Sequence, residues 1–212
     1  MFRYGSNYAQ PSDILVYAGD YSLMNRDPQE KMYFADRIIV HPMFDVETFD
    51  YDFALLHITE ELQWSPLVKP ICLIPNCMSE IKPRENLTCL VAGWGSDRVS
   101  YGMGDERMMT DTLKKQALPV IHRSYCQSAL STRPYLSRFI LTAQMTCAGF
   151  PKGGVDDCQT DSGAPLVCKT TTDKNYYLHG ISSFGFGCGL PANYYRVFAR
   201  PCSITEWIIA SV

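Results

Sequence analysis

A serine in a tight turn is the first feature of this sequence that could do chemistry. Ser162 lies in Asp161-Ser162-Gly163, within a segment that runs from Asp157 to Leu166. Such a turn presents the hydroxyl with backbone N–H groups beside it, as for a nucleophile next to an oxyanion hole. The triplet alone is a weak signal, because Asp-Ser-Gly also forms ordinary turns in loops.

The composition limits the kind of protein that can carry this serine. The 212 residues have a net charge of −3, and 46% of them are hydrophobic. Such a chain can bury a core, which excludes intrinsic disorder, and it lacks the basic surface that nucleic acids require. Its apolar stretches are far shorter than the roughly 20 residues of a membrane span. We therefore expect a compact domain with neither a nucleic-acid partner nor a membrane span.

Cysteine usage indicates an oxidising compartment. The nine cysteines are widely scattered, and none forms a Cys-x-x-Cys pair, so zinc-ribbon and thioredoxin sites are not predicted. The glycosylation sequon at Asn86 agrees with secretion. Met1–Gly5 opens no apolar signal segment. The sequence thus predicts a secreted protein whose signal peptide is not in this chain.

Short apolar runs separated by glycine and proline predict an all-β fold. The predicted strands are Ile14–Ala18, Arg37–Val40, Phe53–Ile58, Cys89–Ala92, Leu166–Cys168, Tyr176–Ser182 and Arg196–Ala199. Apolar residues at helical spacing predict two helices, Arg123–Leu130 and Ser203–Ser211. Many short strands followed by a C-terminal helix indicate a barrel or a sandwich.

Further segments accompany the serine turn in a fixed order. They are Asp52-Phe53-Ala54-Leu55-Leu56, Val91-Ala92-Gly93-Trp94-Gly95, Met145-Thr146-Cys147-Ala148-Gly149 and Ser183-Phe184-Gly185. With Asp157–Leu166, this set resembles the chymotrypsin/trypsin family of serine endopeptidases (peptidase S1) from about Leu15 to Ile209. The resemblance implies one domain, residues 1–212, with a chymotrypsin-like double β-barrel and a C-terminal helix. The first barrel would be truncated at its amino-terminal side.

The resemblance also assigns catalytic and binding roles. Ser162 matches the nucleophile and Asp52 the carboxylate that orients a catalytic imidazole. Asp161 matches the carboxylate that receives the new N-terminal ammonium when a zymogen is activated. The N–H groups of Thr160 and Ser162 would form the oxyanion hole. The substrate-binding positions are Asp156, Ser183, Phe184, Gly185 and Ala192, and Asp156 at the pocket base implies cleavage after Arg or Lys.

Eight cysteines pair by the same resemblance. The implied disulfides are Cys89–Cys168, Cys126–Cys147, Cys158–Cys188 and Cys77–Cys202. Cys72 is left unpaired and matches the position that tethers an N-terminal segment in many relatives. The partners implied are protein or peptide substrates or inhibitors, together with such a segment.

The sequence departs from the family pattern at several catalytic positions. The Ala-Ala-His-Cys segment that supplies the general base is absent, and the chain begins as if directly after it. The four histidines present, His41, His57, His122 and His179, are expected to be structural. Thr160 replaces a glycine of the oxyanion hole, Ala164 replaces the second glycine after the nucleophile, and Ala192 replaces a glycine of the pocket wall. Two hypotheses follow: a trypsin-like endopeptidase present as a fragment, or a catalytically inactive homologue that acts by binding or regulation.

A metal site is the remaining prediction. Asp20, Asp27 and Glu30 have the spacing of the family's calcium loop, and carboxylate oxygens suit this ion. The alternative is an exposed acidic turn. No other cofactor is required by the implied chemistry.

Overall fold

The structure is a computed structural model of the 212-residue chain. It describes residues 9–74, 77, 87–95, 110–133, 136–151, 162–169, 175–185 and 195–212, together with the backbone of residues 3–4 and 7–8.

The amino-terminal part forms a hairpin and an open sheet. Strands β1 (Arg3–Tyr4) and β2 (Asn7–Tyr8) make the hairpin. Three antiparallel strands make the sheet, in the order β3 (Leu15–Ala18), β4 (Lys31–Val40) and β5 (Ala54–Ile58). The predicted start of the second strand at Arg37 is wrong, because the stretch from Lys31 to Phe34 pairs with the whole of β3.

One face of this sheet is apolar and uncovered in the described part of the chain. Leu15 lies opposite Phe34 and Tyr17 opposite Met32, and each of these four side chains is 41–54% exposed. The next residues along β4, Tyr33 and Ala35, are buried on the other face, as the alternation of side chains along a strand requires.

Six strands form a closed antiparallel barrel in the carboxyl-terminal part. They are β6 (Thr88–Gly93), β7 (Lys114–Ile121), β8 (Met145–Ala148), β9 (Pro165–Lys169), β10 (Tyr176–Phe184) and β11 (Arg196–Ala199). Around the barrel their order is β10-β11-β8-β7-β6-β9. Val91, Leu118, Leu166 and Phe198 fill the interior and are almost completely inaccessible to water.

Two helices of the described part of the chain pack outside the barrel. Helix α1 spans Arg123–Ser131, and helix α2 spans Thr205–Ser211. The predicted start of the second helix at Ser203 is wrong, because Pro201–Ile204 forms a 3-10 turn and the α-helix begins only after it. The prediction of an all-β fold with a C-terminal helix is confirmed.

Three of the predicted disulfides hold these elements together. Cys89–Cys168 joins β6 to β9, Cys126–Cys147 joins α1 to β8, and Cys77–Cys202 joins residue 77 to the turn before α2. The proposed Cys158–Cys188 pair lies outside the described residues.

Candidate active site

Ser162 lies in a turn that is fixed to the barrel. The turn leads into β9, and Gly163 adopts a left-handed backbone conformation with φ +96°, which a residue without a Cβ adopts at little cost. The Gly163 N–H donates to the carbonyl of Ser182 at 2.8 Å, and the Ser182 N–H donates to the carbonyl of Ala164 at 2.9 Å. Strand β10 therefore holds the backbone on the carboxyl side of the serine, whose side chain stays exposed.

Asp52 reaches the same place from the open sheet. It follows a turn in which Phe49 and Tyr51 have φ of 56° and 50°, conformations that non-glycine residues rarely adopt. The Tyr51 ring stacks on His41 with 4.6 Å between ring centroids, and its hydroxyl accepts a hydrogen bond from Gln144 at 3.0 Å. These contacts hold the left-handed turn that directs Asp52 towards the barrel.

Ser183 connects the nucleophile to the carboxylate. The Ser162 hydroxyl donates to the Ser183 carbonyl at 3.3 Å, and the Ser183 hydroxyl donates to Asp52 Oδ2 at 2.7 Å. Residues 52, 162 and 183 thus meet although they are far apart in sequence. The sequence analysis assigned Ser183 to substrate binding alone, and nothing in its sequence context signals the bond to Asp52.

A cavity of about 410 Å³ opens beside these groups, lined by Ser162 and Asp52. Strands β4 and β5 contribute apolar side chains to its wall: Ile38, Val40, Ala54 and Leu56. The cavity lies between the open sheet and the barrel, so a ligand or a polypeptide segment within it would contact both polar groups.

None of the four histidines supplies an imidazole to Ser162. His41 is 6% exposed, packs against Tyr51 and Trp207, and accepts a hydrogen bond at Nδ1 from the Met43 N–H at 3.2 Å. Burial lowers the pKa of His41, so the neutral ring that accepts this bond is the favoured form. Its role is to support the turn before Asp52.

The other three histidines are also engaged elsewhere. His57 Nδ1 lies 2.6 Å from Asp36 on the exposed surface of the open sheet. The His122 side chain accepts from the Ser124 N–H at the start of α1. His179 lies in β10 and lines a separate cavity with Arg123 and Arg200. Histidine therefore does not complete a serine–histidine–aspartate group within these 212 residues.

The substrate-binding segment predicted at Ser183, Phe184 and Gly185 ends strand β10. Phe184 packs against Phe49 and Phe139, with ring centroids 5.2 and 5.3 Å away. This segment therefore begins at the residue that bonds both Ser162 and Asp52. The remaining site predictions, Thr160, Asp156, Asp161, Ala192 and the sequon at Asn86, lie outside the described residues.

Three carboxylates meet in the loop between β3 and β4. One oxygen from each of Asp20, Asp27 and Glu30 lies within 4.8 Å of the others. Burial, followed by the negative charges of Glu30, Asp27 and Asp111, raises the pKa of Asp20. Its Oδ1 is buried with no hydrogen-bond partner among the described residues. A hard cation would satisfy this oxygen and relieve the repulsion, so the donor set fits calcium.

Cys72 is an exposed free thiol in the described part of the chain. Its backbone carbonyl accepts from the Leu178 N–H at 2.9 Å, which fixes the residue against β10. Neither described helix, of nine and seven residues, has the length and hydropathy to cross a bilayer.

Comparison with known proteins gives a consistent set of relatives. A family profile described as Trypsin matches residues 5–208. The chain is 32% identical to transmembrane protease serine 9 of Rattus norvegicus over 95% of this chain and 17% of that protein. It is 30% identical to ovochymase of Halocynthia roretzi over 92% of this chain and 12% of that protein. For the clotting factor G beta subunit of Tachypleus tridentatus the identity is 31%, over 94% of this chain and 61% of that protein. The chain thus spans less than two thirds of the length of each of these relatives.

Proposed function

The chain belongs to the trypsin family of serine proteases and has its chymotrypsin-like fold, and from this premise we propose that it is the endopeptidase domain of a secreted enzyme. Ser162 is the nucleophile that attacks the scissile carbonyl, and Asp52 orients the imidazole that takes the serine proton. The observation that carries the proposal is the pair of hydrogen bonds through which Ser183 joins Ser162 to Asp52.

The chemistry proceeds through an acyl-enzyme. The Ser162 hydroxyl forms a bond to the carbonyl carbon, its proton passes to the base, and the base returns that proton to the departing amine. Water then hydrolyses the ester with the same base. The N–H groups of Thr160 and Ser162 bind the oxyanion in this proposal, and the Thr160 side chain weakens that hole, since losing one donor costs about 10²–10³ in rate.

The general base lies outside these 212 residues in this proposal, which makes 1–212 one domain that is incomplete at its amino-terminal side. Two structural features support this. All four histidines are held elsewhere, and the cavity beside Ser162 and Asp52 is bordered by a sheet with an apolar face that is exposed among the described residues. A segment carrying an imidazole would have space between Asp52 and Ser162.

The alternative function is a catalytically inactive homologue that acts by binding or regulation. The positions of His41, His57, His122 and His179 favour it, because a serine without an adjacent base is a weak nucleophile. Thr160 and Ala192, which replace family glycines, also favour the inactive homologue.

One experiment distinguishes the two functions. It measures whether the chain, extended with an Ala-Ala-His-Cys segment, hydrolyses peptide substrates, with Ser162→Ala as the control. Turnover that requires Ser162 supports the endopeptidase, and its absence supports the inactive homologue.

We further propose that Asp156 selects Arg or Lys at P1 by charge pairing, with affinity reduced by Ala192. The extra methyl on the pocket wall costs about 5- to 150-fold in affinity, by analogy with overpacking a filled space. We therefore expect Ala192→Gly in the extended chain to tighten benzamidine binding, measured by calorimetry. Ala210→Gly, at an exposed position of α2, is the matched control. Equal, tight binding by the parent and Ala192→Gly would show that the methyl has no effect.

We also propose that Asp20, Asp27 and Glu30, in the loop between β3 and β4, bind a structural calcium ion. At a calcium concentration ten times the Kd, we expect Tm to rise by about 3–6 °C in a thermal melt. Asp20→Asn removes a charge at the buried oxygen and should abolish the rise, whereas Glu61→Gln, an exposed carboxylate outside the cluster, should leave it. Acidification should weaken the effect, since protonated carboxyls bind calcium poorly. A Tm that calcium does not change would contradict the site.

The cellular setting follows from the same chemistry. Three disulfides among the described residues and the sequon at Asn86 support secretion. Activation of a zymogen would supply the ammonium partner of Asp161. The exposed Cys72 thiol is the proposed tether to an N-terminal segment. Protein substrates and protein inhibitors are the proposed ligands of the cavity beside Ser162 and Asp52.

A further inference from the structure

The acidic loop between β3 and β4 (residues 19–30) is hydrogen-bonded to the barrel. The carbonyl of Tyr21 accepts from the Leu113 N–H at 2.8 Å and from the Trp94 indole N–H at 3.1 Å. Trp94 directly follows β6 and Leu113 directly precedes β7. Both ends of the connection between β6 and β7 therefore contact the same residue of the open sheet's loop.

Asp111 makes a second set of contacts with the acidic loop. Its Oδ1 accepts from the Ser22 hydroxyl at 3.0 Å and from the Met24 N–H at 2.9 Å. Its backbone carbonyl accepts from the Leu23 N–H at 2.9 Å, and Ser22 pairs with Thr112 in an antiparallel bridge. Although Asp111 is exposed, its side chain thus fixes the backbone of the loop.

The same stretch of the loop is bonded to the carboxylate cluster. Asp27 Oδ2 accepts from the N–H groups of Tyr21 and Ser22, at 2.6 and 2.9 Å, and Asp20 directly precedes Tyr21. Tyr21 and Ser22 therefore lie between the cluster on one side and the barrel on the other. Repulsion among the carboxylates opposes this arrangement, and a bound cation would remove that repulsion.

We propose that Asp111 is a positioning residue for the acidic loop, and that calcium binding there strengthens the attachment of the open sheet to the barrel. This inference rests on the calcium ion proposed at Asp20, Asp27 and Glu30. Coupling between two sites is reciprocal, so the contacts of Asp111 raise calcium affinity as much as calcium strengthens those contacts. The open sheet carries Asp52 and the barrel carries Ser162, so this attachment also joins the two halves of the candidate active site.

The Trp94 indole N–H gives a direct readout of the attachment, because it donates to Tyr21. In a ¹H–¹⁵N spectrum of the 212-residue chain, assigned with Trp94→Phe, calcium is expected to shift the Trp94 indole resonance and to slow its exchange with solvent. Trp64, in the loop after β5, and Trp207, in α2, serve as internal references in the same spectrum.

Variants of Asp111 separate its hydrogen bonds from its charge. The distinction matters because burial and then the surrounding carboxylates, Asp111 among them, raise the pKa of Asp20. Asp111→Ala is expected to weaken calcium binding about tenfold in calorimetry and to reduce the Trp94 shift. Asp111→Asn removes the same charge but keeps an acceptor oxygen, so it should stay within about threefold of the parent in 0.15 M salt. Glu61→Ala, which removes an exposed carboxylate outside the loop, should match the parent.

The outcomes distinguish this inference from the calcium site itself. A calcium-dependent Trp94 shift, with weaker calcium binding by Asp111→Ala than by Asp111→Asn, supports it. A Trp94 resonance that bound calcium does not move, or equal calcium affinities of Asp111→Ala and either Asp111→Asn or the parent, overturns it and leaves the calcium site in place. No calcium binding by the parent overturns it together with that site. Dispersed amide spectra establish folding, and Ser22→Ala, which breaks the same side-chain bond from the loop, replaces Asp111→Ala if that variant does not fold.

Discussion

The 212-residue chain alone is expected to hydrolyse peptide substrates no faster than its Ser162→Ala variant. Loss of the base from a serine–histidine–aspartate group costs about 10⁶-fold in kcat. Here each histidine is held away from Ser162, by Tyr51, Asp36, the start of α1 and strand β10. The measurement is release of p-nitroaniline from arginine, lysine and neutral peptide substrates.

The controls for this prediction separate an absent base from an unfolded protein. Parent and Ser162→Ala must show the same circular dichroism spectrum and the same set of disulfides by mass spectrometry. Hydrolysis by the parent that exceeds the Ser162→Ala rate and follows a titration near the ordinary pKa of histidine would mean that an imidazole of this chain reaches Ser162. The proposal that the general base lies outside these 212 residues would then be wrong.

Phe198→Ala is expected to lower the free energy of unfolding by about 3–5 kcal/mol, as for other buried phenylalanines. Phe198 is completely buried in the barrel, where it packs with Val91, Leu118 and Leu166 and lies over Gly180. A loss of this size is a large part of the 5–15 kcal/mol typical of a domain. The measurement is urea unfolding with the disulfides intact.

Phe34→Ala is the matched control for the barrel variant. Phe34 lies on the apolar face of the open sheet and is 54% exposed among the described residues, so its truncation should cost less than about 1 kcal/mol in the 212-residue chain. If the two variants lost equal stability, the barrel would not be the stable unit. In the extended chain, a larger cost at Phe34 would indicate that the added segment covers this face.

The sequence analysis did not predict strands β7 and β8, and particular residues explain why. Strand β7 contains Pro119, which favours a turn or a helix start when the sequence is taken alone. In the barrel Pro119 pairs opposite Thr88, and its carbonyl accepts from the Gly149 N–H at 3.0 Å. Strand β8 is only four residues long, Met145–Ala148, and its pairing with β7 and β11 decides its conformation.

The sequence predicted those active-site residues that stand in recognisable motifs. Ser162 and Asp52 stand in segments with recognisable neighbours, and the disulfide pairs seen here follow from the same resemblance. The bond from Ser183 to Asp52 and the bond from Arg196 to Ser182 were not predicted. Both join residues on different strands, and their geometry depends on barrel register and on a bulge in β10 that no local pattern encodes.

Labelling of Ser162 by a fluorophosphonate, located by mass spectrometry, tests the central claim most directly. The claim is that this is a serine protease domain whose nucleophile and orienting carboxylate lie within 1–212 and whose base does not. We predict that the 212-residue chain incorporates no more label than Ser162→Ala, and that the chain extended with an Ala-Ala-His-Cys segment incorporates it at Ser162. Stoichiometric labelling of Ser162 in the 212-residue chain would contradict the claim.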